Sequence, residues 1–275
     1  MKRTSGSAVD VALVQDGVKR KAKLLADVLA SETIRDVSLP ILLGAATSYA
    51  GYLNAAGDPR GQLVKALGIG AQAAAAIFAL AGGIGEIEFM LGDRRVRLAA
   101  TGATSASHVA TWRAGWWLAQ IVRDQAAIAT LAATPIEVLR GSSSRGDACQ
   151  YLFAEALQAF EQRAAGWPGK LQAAIDATDP DKVKLADEEY VLNILVPEMS
   201  LLLHLATGNV APFNEALQFA LERHKKYWSK GARKRDPDGY LALGPLALAS
   251  LASAAGMPIG AESEYLPPEL YKARA

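Results

Sequence analysis

Asp236-Pro-Asp-Gly-Tyr-Leu-Ala-Leu-Gly-Pro-Leu-Ala-Leu-Ala-Ser-Leu-Ala-Ser-Ala-Ala-Gly256 is the stretch on which the fold turns. From Leu241 to Ile259 it carries no charge, and an acidic, proline-bounded tail follows at Glu262-Ser-Glu-Tyr-Leu-Pro-Pro-Glu-Leu270. A helix that is apolar all round has no face to give to water, so other elements must wrap it. The spacing predicts that helix over 240–255, stopped by Gly256.

The rest of the chain supplies material for wrapping. It has 275 residues, 51% hydrophobic and 21% charged, which is globular rather than disordered. Alanine, the best helix former, dominates, so composition leans to an all-α protein. The formal net charge of +1 is unlike the strong basic excess of a nucleic-acid binder, and no nucleic-acid partner is expected. The single cysteine, Cys149, excludes an intrachain disulfide and offers no metal cluster. No apolar core follows Lys2 and Arg3 before Asp10 and Asp16, so a secretory signal is not expected and the cytosol is the expected compartment. Residues 66–85 have the length and lack of charge of a membrane span, but they are mostly Ala and Gly and include Gln72. The reading adopted is a buried, closely packed helix, as for 241–259, and membrane association is disfavoured.

Punctuation along the chain predicts a succession of helices. The first covers about 8–35, with a weak point at Gly17 and the run Lys19 to Lys23 on a solvated face. Ser38 and Pro40 open a second to about 55. Asp58-Pro59 caps a third that ends at Gly82-Gly83. Glu86-Ile-Glu-Phe-Met-Leu-Gly-Asp-Arg-Arg-Val-Arg-Leu98 breaks the pattern. Ile87, Phe89 and Leu91 alternate before Gly92-Asp93, and Val96 and Leu98 match them, which predicts a β-hairpin resting on helices. Helices then resume: 108–122 with Trp112, Trp116, Trp117 and Ile121; one capped by Asp124; one opened by Thr134-Pro135; one capped by Asp147; and one opened by Trp167-Pro168. Asp179-Pro180 and Asp187 mark further starts, the second leading to 190–206. Pro212 begins 213–230, and 231–239 reads as a basic, mobile linker. Short connections imply antiparallel neighbours. The expected architecture is all-α, an irregular α-α array of antiparallel helix hairpins with one β-hairpin near 86–98. It is read as one domain over 1–275, with N-terminal helices over 8–83.

Signals for catalysis are thin. His204, in Leu-Leu-Leu-His-Leu, reads as a core histidine. His224, beside Glu222 and Lys225, reads as solvated, and His108 as a helix cap. No two share helical metal-ligand spacing. Gly68-Ile-Gly70 and Gly82-Gly83-Ile-Gly85 do not follow a strand, so they fail the context of a nucleotide loop, and Gly141 to Gly146 reads as a flexible loop. No cofactor is expected. Asp176, Asp179, Asp181, Asp187, Glu188 and Glu189 form an acidic cluster that suits a cation or a basic partner surface, or else caps and first turns of helices. Lys225, Lys226, Lys230, Arg233, Lys234 and Arg235, with Tyr227 and Trp228 among them, read as a solvated basic segment rather than a nucleic-acid surface.

Several stretches in order carry a resemblance. They are Thr101-Gly102; Trp112-Arg-Ala-Gly-Trp-Trp-Leu-Ala-Gln-Ile-Val-Arg-Asp124; Pro135-Ile-Glu-Val-Leu-Arg140; Leu171-Gln-Ala-Ala-Ile-Asp176 with Asp179-Pro180; Phe213-Asn-Glu-Ala-Leu217 with His224-Lys-Lys-Tyr-Trp228; and Leu241-Ala-Leu-Gly-Pro-Leu-Ala-Leu-Ala249 running to Glu262-Ser-Glu-Tyr-Leu-Pro267. Over about 86–270 the chain resembles the immunity protein 49 family of bacterial polymorphic-toxin systems, though it is shorter at its C-terminus and richer in alanine there. The first 80 residues match in helical character only. The resemblance implies a non-enzymatic protein that binds and neutralises a cognate secreted toxin in the producing cell. With a cytosolic setting it implies a toxin that acts there, a nuclease first. The family has no catalytic residues to carry over. The acidic residues Asp176, Asp179, Asp181, Asp187, Glu188 and Glu189 are the expected toxin contact, on the concave side of the array, and homo-oligomerisation is left open. The other readings are a helical adaptor, membrane-associated in one version, and an enzyme using His108 or His224.

Overall fold

The computed structural model describes residues 10–57 and 60–272. The helical elements are α1 (Val11–Ala30), α2 (Ser38–Ala56), α3 (Arg60–Gly82), α4 (Val109–Val122), α5 (Gln125–Ala133), α6 (Ile136–Arg140), α7 (Ala148–Glu161), α8 (Trp167–Asp176), α9 (Glu188–Tyr190), α10 (Val196–Ala206), α11 (Val210–Trp228), α12 (Leu243–Ala254) and α13 (Pro268–Tyr271). One antiparallel hairpin, β1 (Glu86–Leu91) and β2 (Arg94–Ala99), stands between α3 and α4. The all-α array with a single hairpin is therefore the fold. The register pairs Ile87 with Leu98 and Phe89 with Val96, as the alternation predicts. Gly92 takes φ 61 at the first turn position, where a two-residue hairpin loop favours glycine.

The apolar C-terminal helix is wrapped as its composition demands. α12 lies against α4, α10, α11 and α13, and Gly244 to Ser250 are all buried. α3 packs between α2 and α4. At the α3–α4 crossing a Cβ on Gly115 would stand 2.4 Å from that of Ala74, so small residues bring the two backbones close. Trp112 and Trp116, each fully buried, stack with ring centroids 6.4 Å apart, and the Trp112 indole donates to the Leu131 carbonyl at 2.9 Å. One continuous apolar core runs from Leu25 through α2 and α3 to Tyr271. The stretch Gly61–Gly82 does have the length and hydropathy of a membrane span, as does Glu188–Ala206, but 67% of the first window is buried inside the fold.

Several caps fall where the sequence places them: Asp124 and Asp187 accept first-turn backbone N–H groups, and His108 caps α4 by accepting from the Thr111 N–H at 3.4 Å. The first helix is shorter than the expected 8–35: it runs over Val11–Ala30, and Asp10 caps it by accepting the Leu13 N–H. The proposed cap at Asp58-Pro59 lies outside the described residues. Gly17, the weak point of α1, is a contact: a Cβ there would meet the Tyr52 ring at 2.5 Å.

Four local expectations are corrected. Asp179-Pro180 opens turns rather than a helix, because Asp179 caps only the next turn, through the Asp181 N–H. Asp187 starts a longer helix with a wide turn inside it: Val191–Leu195 is π-helical, and the Val196 N–H reaches back to the Val191 carbonyl. Pro197, which has no N–H to give the ladder, follows at once. The basic segment after α11 is built of two 3-10 turns, Gly231–Arg235 and Pro237–Tyr240, not a mobile linker. Arg233 ties it down, pairing with Asp187 at 3.0 Å and Glu189 at 2.6 Å and lying over the Tyr227 ring at 4.0 Å. In consequence α12 begins at Leu243 rather than Tyr240.

Candidate functional site

The segment that opens the C-terminal stretch crosses the top of α2 in close contact. A Cβ on Gly51 would fall 2.0 Å from the Pro237 carbonyl oxygen, and the Asn54 amide donates to the carbonyls of Tyr240 (2.7 Å) and Glu264 (2.9 Å). This crossing fixes Asp238 to Pro245 as one wall of a cavity of about 280 Å³. α4 gives the second wall with Arg113 and Trp117, the wide-turned helix gives the third with Tyr190, Asn193 and Glu198, and α11 closes the fourth with His224 and Trp228. Thr47, Ala110, Ala114, Ile194 and Leu243 line it too and are only partly buried, so the cavity reaches solvent on that side.

Its polar core is an ion pair in the interior. Arg113 Nε stands 3.6 Å from Glu198 Oε2, and the two side chains are 6% and 5% exposed. The Arg113 guanidinium also donates to the Tyr190 hydroxyl and lies over its ring at 5.6 Å. Three buried atoms at this core have no hydrogen-bond partner among the described residues: Arg113 Nη1, Glu198 Oε2 and Trp117 Nε1. Glu198 is pressed against the start of α12, where a Cβ on Gly244 would be 2.1 Å from its Oε1.

Burial sets the ionisation here. Desolvation pushes the Glu198 carboxyl up to about 7, and the Arg113 charge offsets it only in part. Arg113 is penalised by burial, yet Tyr190 and Glu198 hold its pKa above the ordinary value, so it stays charged. Burial pushes Tyr190 up, against the opposing pull of Arg113. Asp238 is raised to about 6 by desolvation and by the neighbouring Asp236. His224 is lowered to about 4 by burial and is neutral at pH 7. Its Nε2 is 3.0 Å from the Gly239 carbonyl, which requires the proton on that nitrogen.

Two histidine expectations are therefore exchanged. His224 is buried among Trp228 and Tyr265, while His204 is only half-buried on α10. The signal lay in the spacing: Phe213, Leu217, Ala220, Leu221 and His224 form one helical stripe, all buried. His108, its pKa lowered by burial and by Arg113, turns its ring nitrogens to Thr111. Among the described residues no group of three His, Cys, Asp or Glu side chains is placed to hold a metal ion.

The acidic candidates lie apart from this cavity's polar core. Asp176, Asp179, Asp181, Asp187 and Glu188 are exposed and Glu189 is half-buried. Within the fold Asp176 accepts from Gln172, Asp179 caps a turn, and Asp187 and Glu189 hold Arg233, with Lys230 also on Glu189. Sequence reasoning took Asp147 as a helix cap, which it is, but missed that it also shapes this segment. The Asp147 carboxylate accepts the backbone N–H groups of Lys184 (2.8 Å), Leu185 (3.1 Å) and Ala186 (2.7 Å), pinning the loop to the start of α7.

The sequence profile of immunity protein 49 matches residues 58–270, most of the chain. The chain belongs to the immunity protein 49 family. The match begins at residue 58, ahead of the 86–270 over which motifs carry the resemblance, so α3 is part of the immunity protein 49 domain as well. Among curated proteins and solved structures nothing matches the chain significantly. The cavity walls fall within the matched span except for Thr47 on α2.

Proposed function

We propose that this chain binds a cognate secreted toxin in the cytosol of the cell that produces it and blocks that toxin by occupying its surface rather than by chemistry. The observation that carries the reading is the membership of residues 58–270 in the immunity protein 49 family. The chemistry of the histidines supports binding over catalysis: His224 is held neutral with its Nε2 on a backbone carbonyl, and His108 caps a helix. The toxin contact is the acidic segment over 176–189, where Asp181 and Glu188 are exposed beside the ion-paired Asp187 and Glu189. An acidic surface of this kind suits a toxin with a basic face, as a nuclease has. Co-expression with the toxin encoded beside it tests the reading. Growth rescue and a complex that co-purifies are expected; a toxin that still kills and never associates with the chain would sink it.

A further inference from the structure

The cavity between α4, the wide-turned helix, α11 and the start of α12 has a polarity that toxin binding over 176–189 does not use. The wall over 238–245 is fixed by close approach at two glycines, Gly51 of α2 against the Pro237 carbonyl and Gly244 against the Glu198 side chain. The interior is mainly apolar and aromatic, with Trp117, Tyr190, His224 and Trp228 around it. Against that background, three of the lining residues carry a buried atom with no hydrogen-bond partner among the described residues: two donors, Arg113 Nη1 and Trp117 Nε1, and one acceptor, Glu198 Oε2, which has only the 3.6 Å ion-pair contact with Arg113 Nε. A buried polar atom with no hydrogen bond is costly, and three of them on residues that line one cavity mark a place where a small side-chain adjustment lets a ligand supply the missing bonds.

The pattern restricts that ligand. Among the described residues that line the walls Arg113 is the only cation, and Glu198 and Asp238 share them, so a phosphate or another strong anion would meet carboxylates with one positive charge to hold it. A donor beside an acceptor calls for the converse: a neutral group with an acceptor atom next to an N–H. The aromatic walls call for a flat ring. About 280 Å³ lies just under the usual range for drug-sized ligands, which suits one mono- or bicyclic ring.

We infer that this cavity is a binding site for a planar, neutral heterocycle of the nucleobase class, its ring between the aromatic walls, its carbonyl on Arg113 and its adjoining N–H on Glu198. The N–H donor favours the carboxylate form of Glu198. Since burial holds that carboxyl near pH 7 in the empty cavity, binding releases protons at neutral pH.

Calorimetric titration of the full chain with hypoxanthine, in two buffers of different ionisation enthalpy, tests this. Saturable one-site binding with proton release at pH 7 is expected. It should be at least about tenfold weaker for 1-methylhypoxanthine, which lacks the N–H, as expected for a buried acceptor left unpaired. Ala114→Leu fills the cavity from its rim without touching the ion pair, and should abolish binding with the fold intact by circular dichroism. No binding of hypoxanthine, adenine, cytosine or uracil at millimolar concentration overturns the proposal, as does binding indifferent to Ala114→Leu or to N-methylation. If Ala114→Leu instead weakens the toxin complex while no base binds, the cavity receives a protein side chain and the proposal fails. Toxin rescue is scored separately, so failure here leaves the immunity reading standing.

Discussion

Gly244 and Glu198 are in contact that no other residue at position 244 would permit: a Cβ there would lie 2.1 Å from Glu198 Oε1 and 2.5 Å from its carboxyl carbon. The glycine of the Leu-Gly-Pro-Leu motif is thus what lets a buried carboxylate rest against α12 and reach Arg113. Gly244→Ala would gain helix propensity, worth up to about 1 kcal/mol. It would also force the Glu198 side chain, fixed among buried neighbours, to move. We expect a net loss of roughly 1–3 kcal/mol in chemical denaturation. Adding Glu198→Asp, which shortens the side chain, should recover part of that loss, giving a non-additive pair. A Gly244→Ala protein as stable as the native chain would show that the carboxylate is not held there.

The buried pair also predicts how stability changes with pH. Glu198 titrates near 7 in the fold and near 4.5 when unfolded. Between those values the native state keeps a proton that the unfolded chain has released, so this group's effect on stability falls as pH rises through the window. His224 acts in the opposite sense. Its folded value is about 4 against 6.5, so the unfolded chain binds a proton first and stability falls as pH drops from 6.5 to 4. The two slopes oppose each other between about 4.5 and 6.5, so this pair alone leaves stability nearly flat there, and Asp238, raised to about 6 from 3.8, tilts the native chain toward lower stability as pH rises. Glu198→Gln mimics the protonated carboxyl at every pH. It should match the native chain at pH 4.5 and exceed it by up to roughly 3 kcal/mol at pH 8. Denaturation midpoints at the two pH values decide it; a variant less stable at pH 8 would mean that pairing with Arg113 outweighs desolvation.

The sequence made much of this fold legible and little of its cavity, for one physical reason. Elements announce themselves by local pattern. The alternation around Gly92-Asp93 gave the hairpin and its register, and the absence of charge over 241–259 required the wrapping that α4, α10, α11 and α13 provide. The site depends on pairs distant in the chain. Arg113 sits among the tryptophans of a packing motif, and nothing local says that Glu198 on another helix will face it. His224 was hidden by its charged neighbours Glu222 and Lys225, although its place on the Phe213–Leu217–Ala220–Leu221 stripe marks it as interior. Arg233, read as part of a solvated basic run, turned out to organise the segment by pairing across to Asp187 and Glu189.

Asp147 offers a test of how the acidic segment is held. Although burial raises its pKa, the three backbone N–H groups of 184–186 and the Lys184 charge bring it below the ordinary carboxylate value. The stability it gives is present above the unfolded value of 3.8 and is lost as pH falls through the lower folded value. Asp147→Ala leaves those amides without their acceptor, so we expect faster hydrogen exchange confined to the backbone of 184–186 and a loss of about 1–3 kcal/mol. Asp147→Asn should fall between, since one amide oxygen replaces two carboxylate oxygens. Unchanged exchange at Lys184, Leu185 and Ala186 in the alanine variant would count against this anchoring.

The acidic segment divides into residues whose charge the fold uses and residues whose charge it leaves to solvent, and the proposed toxin contact predicts opposite outcomes for the two. Asp187 and Glu189 hold Arg233 and Lys230, so reversing them would loosen the 3-10 turns that lead into the cavity wall, and a lost toxin complex would say nothing about contact. Asp181 and Glu188 are exposed, and no ion pair of theirs is present among the described residues. Reversing exposed charges of this kind typically changes stability by no more than about 0.5 kcal/mol. Asp181→Lys with Glu188→Lys should therefore leave the melting temperature unchanged while slowing association with a basic toxin face. Because that steering is screened by salt over about 10 Å at 0.1 M, the difference from the native chain should shrink as ionic strength rises. Surface-binding kinetics at low and high salt measure both effects. An association rate that matches the native chain at low salt would move the toxin contact off this segment.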